Sequence, residues 1–403
     1  MKILVVGGAG YLGSHVAREC RRAGAEPVIL DNFSTGSREA VDGIEQIDGS
    51  LLDPRVLRST FQNDDYDAVV HLAGGASVPR AFDALSRHYQ GEIAGTLNLV
   101  QAMVEGGVSR LVFGSSVRVY GEPVEVPIDE SVPTGPADPV GQGKLCAERL
   151  IAEVSRGEPI RFAALRFFTV AGADVAGDLG DSRQTDDHLI PAIFQAGLGR
   201  QPSLTIHGND YDTPDASCIR DFVHVSDCAR ACLLALESID DRPNEIYNIG
   251  SGEGYSALEV IEEAQKLLPN PLQVKVAERR RWEPAALVAS IEKARSYLGW
   301  EPEHSELTEI LESAWAWHRR HPHGFAAMAP SMADRESVSP ELFGDIATRL
   351  GLVTPSDVVR ALERQQHEME EGLQHKLIGM HMLEMGLLST SDLIEILKFY
   401  EEK

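Results

Sequence analysis

Short apolar runs alternate with helical stretches through the first part of the chain. Helical periodicity covers residues 11–24, 83–106 and 141–156. The apolar runs between and around these stretches have strand length: ILVV (3–6), PVIL (27–30), AVVHLA (68–73), RLVFGS (110–115) and FAALRFF (162–168). Because strands that alternate with helices are typical of βαβ units, the pattern predicts an α/β fold with a parallel sheet and helices on both faces.

The pattern becomes irregular from about residue 185. It predicts a helix in HLIPAIFQAGLG, further helices around 226–237, 256–268 and 305–320, and short strands in LTIHG, DFVHV, EIYNIG and QVKVA. Such a mixture suits a smaller α/β substrate lobe over one edge of the sheet. Residues 322–340 then lose periodicity and gain Pro, Ser, Ala and Met, which predicts a linker.

The tail contains an internal repeat. The sequence LFG…GLVTPSDV from Leu342 returns 35 residues later as LIG…GLLSTSDL from Leu377. In each copy a hydroxyl residue, Thr354 or Ser389, can cap a helix, with Asp357 or Asp392 three positions later as its capping-box partner. Each copy therefore reads as helix, glycine turn and helix, and two copies predict a small all-α repeat domain.

Composition excludes some classes of partner. The 403 residues carry a formal net charge of −25, whereas nucleic acids and anionic membrane surfaces attract basic proteins. There is no apolar run of 18 residues, and the N-terminus reads as a first strand and not as a signal peptide.

The five cysteines are scattered without a CxxC pair, which favours a reduced, cytoplasmic location. Cys228 and Cys232, four residues apart on a predicted helix, are interpreted as small buried residues.

A glycine-rich turn follows the first predicted strand and opens a helix. In Gly7-Gly8-Ala9-Gly10-Tyr11-Leu12-Gly13, Gly7 allows a tight turn, Gly10 lets the backbone approach a pyrophosphate, and Gly13 lets helix and strand pack closely. The second strand ends in Asp31, which can accept hydrogen bonds from a ribose 2′-hydroxyl and would repel a 2′-phosphate. The pattern predicts a dinucleotide site that prefers NAD; the alternative is a glycine turn in a vestigial nucleotide site.

The motifs GGAGYLGSH, DNFS, HLAGGAS (71–77), FGSSVRVYG (113–121) and the helix around Lys144 resemble the extended short-chain dehydrogenase/reductases. Downstream, LRFFTVAGAD (165–174), IHGNDYDTPDASCIRDFVHVSD (206–227), YNIGSGEGYS (247–256) and RRRWEPAALVAS look like UDP-glucose 4-epimerases. The resemblance implies a Rossmann-type doubly wound sheet with a nucleotide-sugar lobe, bound NAD and a homodimer formed through helices 83–106 and 141–156. NAD would contact Lys144 and the residues Gly7, Gly10, Tyr11, Leu12, Gly13, Asp31, Asn32, Leu51, Leu72, Ala73 and Gly74.

The catalytic residues of the family are only partly present. The resemblance assigns the family's serine to Ser116 and its lysine to Lys144, but the tyrosine four residues before the lysine is Val140. Valine has no proton to exchange, and loss of a general base typically costs 10²–10⁴-fold in rate. Glu92, at a position where the family has Asn, is one candidate replacement base. Tyr120 is another, although we interpret it as a packed aromatic residue.

The resemblance leads one to expect Asp at Ser50, Lys at Ala76, Asn at Thr169 and Gly-Asp at Trp282-Glu283, so these positions depart from the family pattern as well. The resemblance places the sugar nucleotide on Phe168, Thr169, His188, Leu189, Arg220, Arg279 and Glu283. The guanidinium groups can bind phosphate bidentately; alternatively, Arg220 pairs with Asp221 and Arg279 with Glu283. Lys144 could likewise be a solvated charge near Glu148. Histidines are numerous, but none has metal-ligand spacing, so we expect no metal site.

The predicted organisation is a Rossmann core at about 1–180, a nucleotide-sugar lobe at about 181–323, a linker at 324–339 and a helical module at 340–403. Three functions remain open: an epimerase/dehydratase-type enzyme with impaired or altered chemistry, a binding pseudoenzyme that acts as a sensor, or a scaffold.

The tail repeat resembles the N-terminal helical domain of type II secretion and type IV pilus ATPases. Leucines stand where the ligand-binding form of that domain has arginines, so we expect the tail to bind protein and not a nucleotide.

Overall fold

The structure is a computed structural model that describes residues 1–74, 77–183 and 188–325. In the tail it describes residues 347–348, 350, 352–354, 356–358, 360–361, 364, 378–389 and 392. The chain divides into two compact units, Met1–Ala327 and Met328–Lys403.

The strands of the first unit are β1 (Lys2–Val6), β2 (Glu26–Asp31), β3 (Glu45–Asp48), β4 (Ala68–His71), β5 (Arg110–Ser116), β6 (Arg161–Phe167), β7 (Thr169–Ala171), β8 (Leu204–His207), β9 (Ile219–Arg220), β10 (Phe222–His224), β11 (Glu245–Ile249), β12 (Tyr255–Ser256), β13 (Val274–Ala277), β14 (Ala286–Leu287) and β15 (Pro322–Phe325).

The helices of this unit are α1 (Tyr11–Arg22), α2 (Pro54–Asn63), α3 (Val78–Asp83), α4 (Leu85–Tyr89), α5 (Gly95–Gly106), α6 (Pro139–Gly157), α7 (Leu189–Gly197), α8 (Val225–Ser238), α9 (Ala257–Gln265), α10 (Glu292–Leu298) and α11 (Leu307–Arg320). A π-helical turn over Gln90–Ala94 joins α4 to α5.

Seven parallel strands form the main sheet in the order β11-β6-β5-β4-β1-β2-β3. The predicted doubly wound sheet is therefore confirmed, and the strand order reverses between β1 and β4. In such sheets ligands bind outside the carboxyl ends of the strands at this switch point. At that edge Val6 of β1 is paired with His71 of β4 and with Leu30 of β2. The glycine turn and Asp31 follow directly.

The boundary predicted near residue 180 does not match the sheet. Strand β11, which the sequence pattern assigned to the second lobe, pairs with β6 as the last strand of the main sheet. Helix α8 packs against α1 on one face of that sheet. The chain therefore leaves the sheet after β6, builds part of the second lobe and returns. Cys228 and Cys232 on α8 are fully buried, as predicted.

Each face of the sheet buries its own apolar layer. One layer joins side chains of β1, β5 and β6 to those of α1 and α8. The other lies between the opposite faces of the same strands and helices α2, α5 and α6. A third core in the second lobe packs α7, α9 and α11 together. Its members Ile193, Phe194 and Ile310 are fully buried. Strands covered on both faces read as continuous apolar runs, which explains the prediction from the sequence.

A buried polar network ties β5 and β6 to α6. The Arg166 guanidinium donates to both carboxylate oxygens of Glu148, at 3.0 and 2.7 Å, and to the Tyr120 hydroxyl at 2.8 Å. The Tyr120 hydroxyl donates to Asn248 Oδ1 at 2.8 Å. Tyr120 is 2% exposed and committed to this network, which confirms its interpretation as a packed residue.

In the second unit both predicted capping boxes form. The Thr354 N–H donates to the Asp357 carboxylate at 3.0 Å, and the Asp357 N–H donates to the Thr354 hydroxyl at 3.3 Å. Ser389 and Asp392 exchange the same two bonds at 2.7 and 3.2 Å. A helix, α12, spans Ile378–Glu384, and the described core contains Ala347, Val353, Ala361, Met382 and Leu388, with Val358 packed against it. Leu342 and Leu377 lie outside the described residues.

Candidate active site

The glycine turn is as tight as its sequence predicts. A Cβ on Gly13 would lie 2.2 Å from the Gly7 carbonyl oxygen, so only glycine lets α1 begin this close to β1. Gly7 has a φ of +76°, and a Cβ there would lie 2.5 Å from the Ala73 nitrogen at the end of β4. The turn therefore touches the segment that follows β4 at the switch point of the sheet. A backbone cradle without side chains at this place fits a pyrophosphate.

Asp31 closes the same turn. One carboxylate oxygen accepts the Ala9 N–H at 3.0 Å and the other accepts the Phe33 N–H at 2.8 Å. Burial raises the pKa of Asp31, although these N–H donors favour its ionised form. Each carboxylate oxygen has a second lone pair, so the group retains the capacity to accept a ribose hydroxyl. The neighbouring Asn32 is exposed, and its side chain accepts bonds from Ser34.

Glu92 and Lys144 form a buried ion pair at the carboxyl edge of the sheet. Their side chains are 2% and 7% exposed, and Lys144 Nζ lies 3.1 Å from Glu92 Oε2. The π-helical turn directs the Glu92 carboxylate towards Gly74, where a Cβ would lie 2.1 Å from Glu92 Oε1. Lys144 Nζ also lies 5.1 Å from the centre of the Phe113 ring. The alternative interpretation of Lys144 as a solvated charge is therefore wrong.

Val140 lies one helical turn before Lys144 on α6 and is 7% exposed. It belongs to a small apolar cluster with Val78 and Ala81 of α3, and the indole of Trp282 packs against that cluster. Helix α6 begins here because the Asp138 carboxylate accepts the Gly141 N–H at 2.9 Å and Pro139 occupies the first helical position. An apolar contact thus occupies the position to which the resemblance assigns a tyrosine.

Ser116, the last residue of β5, is partly exposed. Its hydroxyl accepts the Arg118 N–H at 3.2 Å and caps the short turn that follows. Within the described part of the chain, no hydrogen bond joins Ser116 to Lys144. The structure therefore pairs the predicted lysine with Glu92 and leaves the predicted serine with a local backbone contact.

Four predicted ligand residues line one small cavity, namely Tyr11, Thr169, His188 and Leu189. The Tyr11 hydroxyl donates to the Gly172 carbonyl at 2.6 Å, which joins α1 to the second lobe. Arg183, which the sequence did not single out, lies 5.1 Å from the Tyr11 ring and 3.0 Å from His188 Nε2. No motif marks Arg183, because its partners are distant in sequence or lie in an irregular loop.

The arginines of the second lobe do not have the partners that the sequence suggested. Arg220 pairs with Glu283 at 2.8 Å, whereas Asp221 accepts the N–H groups of Ser251, Gly252 and Ala289. Burial alone would raise the pKa of Glu283, but the guanidinium groups of Arg220 and Arg118 hold it below its ordinary value. The exposed Arg279 lies 4.1 Å from the centre of the Tyr211 ring and donates to the backbone oxygen of Glu283 at 3.3 Å.

The other predicted contact residues belong to the apolar layers near the switch point. Phe168 and Leu51 are buried, while Leu12, Leu72 and Ala73 are partly buried against the two cores of the sheet. Leu72 also continues the pairing of β4 with β1 through its N–H and the Val6 carbonyl, at 2.8 Å. Their apolar side chains would contribute shape and not polar chemistry to a cofactor site at this edge.

Two of the three histidines between residues 318 and 323 pack against aromatic rings. The His321 ring stacks on Trp317 with their centres 3.9 Å apart, and His318 is buried against Phe194. Among the described residues, no group of His, Cys, Asp and Glu side chains has the arrangement of a metal site. The described residues also contain no helix long and apolar enough to cross a membrane.

Residues 3–250 match the model of the NAD dependent epimerase/dehydratase family. The chain belongs to that family. It is 38% identical over 327 residues to the UDP-glucose 4-epimerase of Halalkalibacterium halodurans, covering 81% of this chain and 98% of that protein. A UDP-glucose 4-epimerase of Lacticaseibacillus casei is 39% identical over 329 residues, covering 81% and 99%.

Solved epimerase structures have the same fold. The UDP-glucose 4-epimerase of Brucella ovis in complex with NAD superposes with a TM-score of 0.75 at 36% identity, covering 78% of this chain and 97% of that one. The enzyme of Bifidobacterium longum in complex with NAD+ and UDP gives a TM-score of 0.77 at 31% identity, covering 81% and 100%. The epimerase-like part of the chain is thus similar to whole epimerases.

The pKa of the His71 side chain provides a test of how completely this edge of the sheet excludes water. It is 1% exposed, its Nε2 lies 3.0 Å from the Thr96 hydroxyl, and burial, with a smaller effect of Lys144, lowers its pKa to about 3. Below pH 6.5 the unfolded chain protonates this histidine while the folded protein does not. Its contribution to stability is therefore present above pH 6.5 and is lost as the pH falls towards 3.

We predict that His71→Gln makes the free energy of unfolding less dependent on pH between 6.5 and 4, by up to ~1.4 kcal/mol per pH unit. Urea denaturation of wild type and variant at several pH values measures this slope. His323→Gln, at an exposed position, is the control and should leave the slope unchanged. Equal slopes for wild type and His71→Gln would show that His71 is protonated in the folded protein.

Proposed function

We propose that this protein binds NAD and a nucleotide-sugar ligand of the UDP-glucose 4-epimerase type, and that its 4-epimerase activity is impaired or altered. The observation that carries the proposal is the buried ion pair of Glu92 and Lys144, one helical turn from Val140. The fold and cofactor cradle of the family are present, but the group expected to exchange the substrate proton is absent.

The cofactor part rests on the fit of the cradle. The close approach of Gly7, Gly13 and Ala73 leaves backbone and no side chains where a pyrophosphate would lie. Asp31 provides the acceptor for a ribose hydroxyl at the end of β2. NAD, when bound, supplies the capacity to accept and return a hydride.

The residues of this chain determine what happens to the proton. Lys144 would hold the cofactor ribose and lower the pKa of a neighbouring acid, but here its ammonium group neutralises the Glu92 carboxylate at 3.1 Å. Because that contact already engages the carboxylate, Glu92 is poorly placed to take a proton from a substrate hydroxyl. A tyrosine at position 140 would be the stronger base, and Val140 exchanges no proton.

The substrate part rests on the second lobe. Arg220 and Arg279 both approach the Glu283 segment and provide guanidinium donors suited to a diphosphate. The Bifidobacterium longum relative is in complex with UDP, and the structure of the Stenotrophomonas maltophilia relative contains a formylated UDP-arabinopyranose. We propose a UDP-linked ligand for this chain by that similarity, held by Phe168, Thr169, His188, Leu189, Arg220, Arg279 and Glu283.

The second candidate is a pseudoenzyme that binds these ligands and acts as a sensor or scaffold through its tail. The apolar contact at Val140 favours this candidate, because it fills the position of the missing base. We propose that the tail is a protein-binding module like the helical domain of the secretion and pilus ATPases. The first unit would form a homodimer through the α5 and α6 region, where Leu97 is 44% exposed.

We predict that the protein binds NAD and prefers it to NADP, because the Asp31 carboxylate would face the 2′-phosphate of NADP. Gly13→Ala should weaken NAD binding at least tenfold, since the added methyl overlaps the Gly7 carbonyl. Titration calorimetry with both cofactors tests these statements. Gly157→Ala, where a Cβ meets nothing within 4 Å, is the matched control. Tighter binding of NADP, or no binding of NAD, contradicts the assignment.

We predict that the wild type interconverts UDP-glucose and UDP-galactose at least ~100-fold more slowly than an ordinary 4-epimerase assayed in parallel, which is the usual effect of removing a general base. Val140→Tyr alone overpacks the cluster against Trp282 and meets a lysine that Glu92 already engages. The triple variant Val140→Tyr, Glu92→Asn, Trp282→Gly should therefore raise the rate more than the single variant does.

The control is Gln142→Tyr, which adds a tyrosine at an exposed position of the same helix and should not change the rate. A wild-type rate within tenfold of an ordinary epimerase would show that another residue is a competent base. An unchanged rate in the triple variant would show that the impairment does not arise from these three positions.

We predict that a chain ending at Ala327 remains soluble, binds NAD within about twofold of the full chain and keeps its oligomeric state. The reason is that the two compact units divide there and that the cofactor cradle lies wholly in the first. Calorimetry and size-exclusion chromatography with light scattering measure both properties. Aggregation, or a change to monomer, would mean that the tail completes the fold or the dimer.

A further inference from the structure

The turn that follows β5 carries a cation, Arg118, beside the candidate reaction centre. The turn spans Val117–Val119, and the Ser116 hydroxyl caps it by accepting the Arg118 N–H at 3.2 Å. It packs directly on the first turn of α6, where a Cβ on Gly141 would overlap the Arg118 carbonyl oxygen. Arg118 is therefore held next to the predicted serine and next to the helix that carries Lys144.

The same segment also faces the arginine-rich loop of the second lobe. Burial alone would raise the pKa of Glu283, but the positive charges of Arg220 and of Arg118 lower it. Four residues after Arg118, the Glu122 carboxylate accepts the Ala285 N–H at 3.1 Å, which ties this segment to the loop that carries Glu283. Arg118 thus lies between the Arg220–Glu283 pair and the start of α6.

The Arg118 guanidinium has more donors than the protein uses. Its Nη1 donates to the Asp138 carboxylate at 2.9 Å, and this is its side-chain hydrogen bond within the described part of the chain. An arginine has five N–H donors in a fixed fork. The Arg118 side chain is 27% exposed, whereas the Asp138 side chain is 3% exposed. The contact with Asp138 therefore braces the start of α6 and still leaves guanidinium donors for a ligand.

We propose that Arg118 is a specificity-determining residue that makes this site select a nucleotide sugar whose sugar carries a carboxylate, as in a UDP-uronic acid. The inference rests on the proposed function, namely that Arg220 and Arg279 bind the diphosphate of a nucleotide sugar. The sugar is the next group of such a ligand, and it meets Arg118 on its way from these arginines to Lys144. A guanidinium binds a carboxylate through two parallel, charge-assisted hydrogen bonds, which a neutral sugar hydroxyl cannot provide.

The charge of the whole chain makes such a local cation necessary for an acidic sugar. The formal net charge is −25, and a uronic acid adds a further negative charge to a diphosphate that is already anionic. Without a cation at the sugar, that carboxylate would give up its hydration and gain no partner in return. A neutral hexose has no charge to pair with Arg118, so the guanidinium favours the acidic sugar over the neutral one.

Titration calorimetry of the full chain with UDP, UDP-glucose and UDP-glucuronic acid as probes tests the proposal. The wild type should bind UDP-glucuronic acid at least about tenfold more tightly than UDP-glucose, the usual effect of one hydrogen-bonded charge pair. Arg118→Met keeps the length of the side chain and removes its charge, so it should abolish this preference. Its affinity for UDP should stay within about threefold of wild type, since the change leaves Arg220 and Arg279 in place. Arg156→Met, at an exposed position of α6, is the matched control and should behave as wild type.

A second variant separates the charge from the bracing of α6. Arg118→Gln retains a donor for Asp138 without the charge, so it should lose the preference as Arg118→Met does. A purely structural role of Arg118 would weaken the binding of both sugar nucleotides equally and leave their ratio unchanged.

The proposal is overturned if the wild type binds UDP-glucose as tightly as UDP-glucuronic acid, or if either variant keeps the wild-type ratio. If UDP binds in these cases, the nucleotide-binding part of the proposed function stands and the role of Arg118 alone fails. If the wild type binds none of the three probes, that part of the proposed function fails together with this inference.

Discussion

The arrangement of the candidate reaction centre depends on one constraint: a charge buried at the carboxyl edge of the sheet must have a partner. Moving an ammonium or a carboxylate out of water costs several kcal/mol even after relaxation of the protein, on the order of the whole stability of a domain. Lys144 and Glu92 satisfy each other at 3.1 Å. The π-helical turn that carries Glu92 and the capped start of α6 that positions Lys144 both serve this contact.

The same solution recurs where this acidic chain buries other charges. Arg166 is held by Glu148 beneath the sheet edge, and Arg220 is held by Glu283 in the second lobe. Among the described residues, Asp221 has no cation beside it but accepts four hydrogen bonds, from the N–H groups of three residues and the Ser251 hydroxyl. These contacts fix loops of the second lobe against the sheet, so the polar groups that border the site are already oriented before a ligand arrives.

Much of the fold could be predicted because its information is local. Buried parallel strands such as β1 and β5 are continuous apolar runs. The glycine turn can be recognised from its glycine spacing between a predicted strand and a predicted helix. Strand β3, with the sequence EQID, was missed because an edge strand with polar residues has no such run. Strand β11 was recognised as a strand but assigned to the wrong sheet, since strand pairing is not encoded in a local pattern. For the same reason the sequence supplied Glu92 and Lys144 as separate candidates and could not show that they pair.

Each departure from the pattern that the resemblance implies is explained by the residue with which it is in contact. Glu92, at a position where the resemblance implies an amide, supplies the anion that pairs with the buried Lys144. Trp282, at a position where the resemblance implies glycine, packs against the cluster that contains Val140. A site that had merely lost residues would retain a cavity beside Val140 and an unpaired ammonium at Lys144, both of which are destabilising. Here the apolar surface is covered and the charge is neutralised, so the present residues form a consistent arrangement of their own. Any account of what this protein does must therefore explain Glu92 and Trp282 as well as Val140.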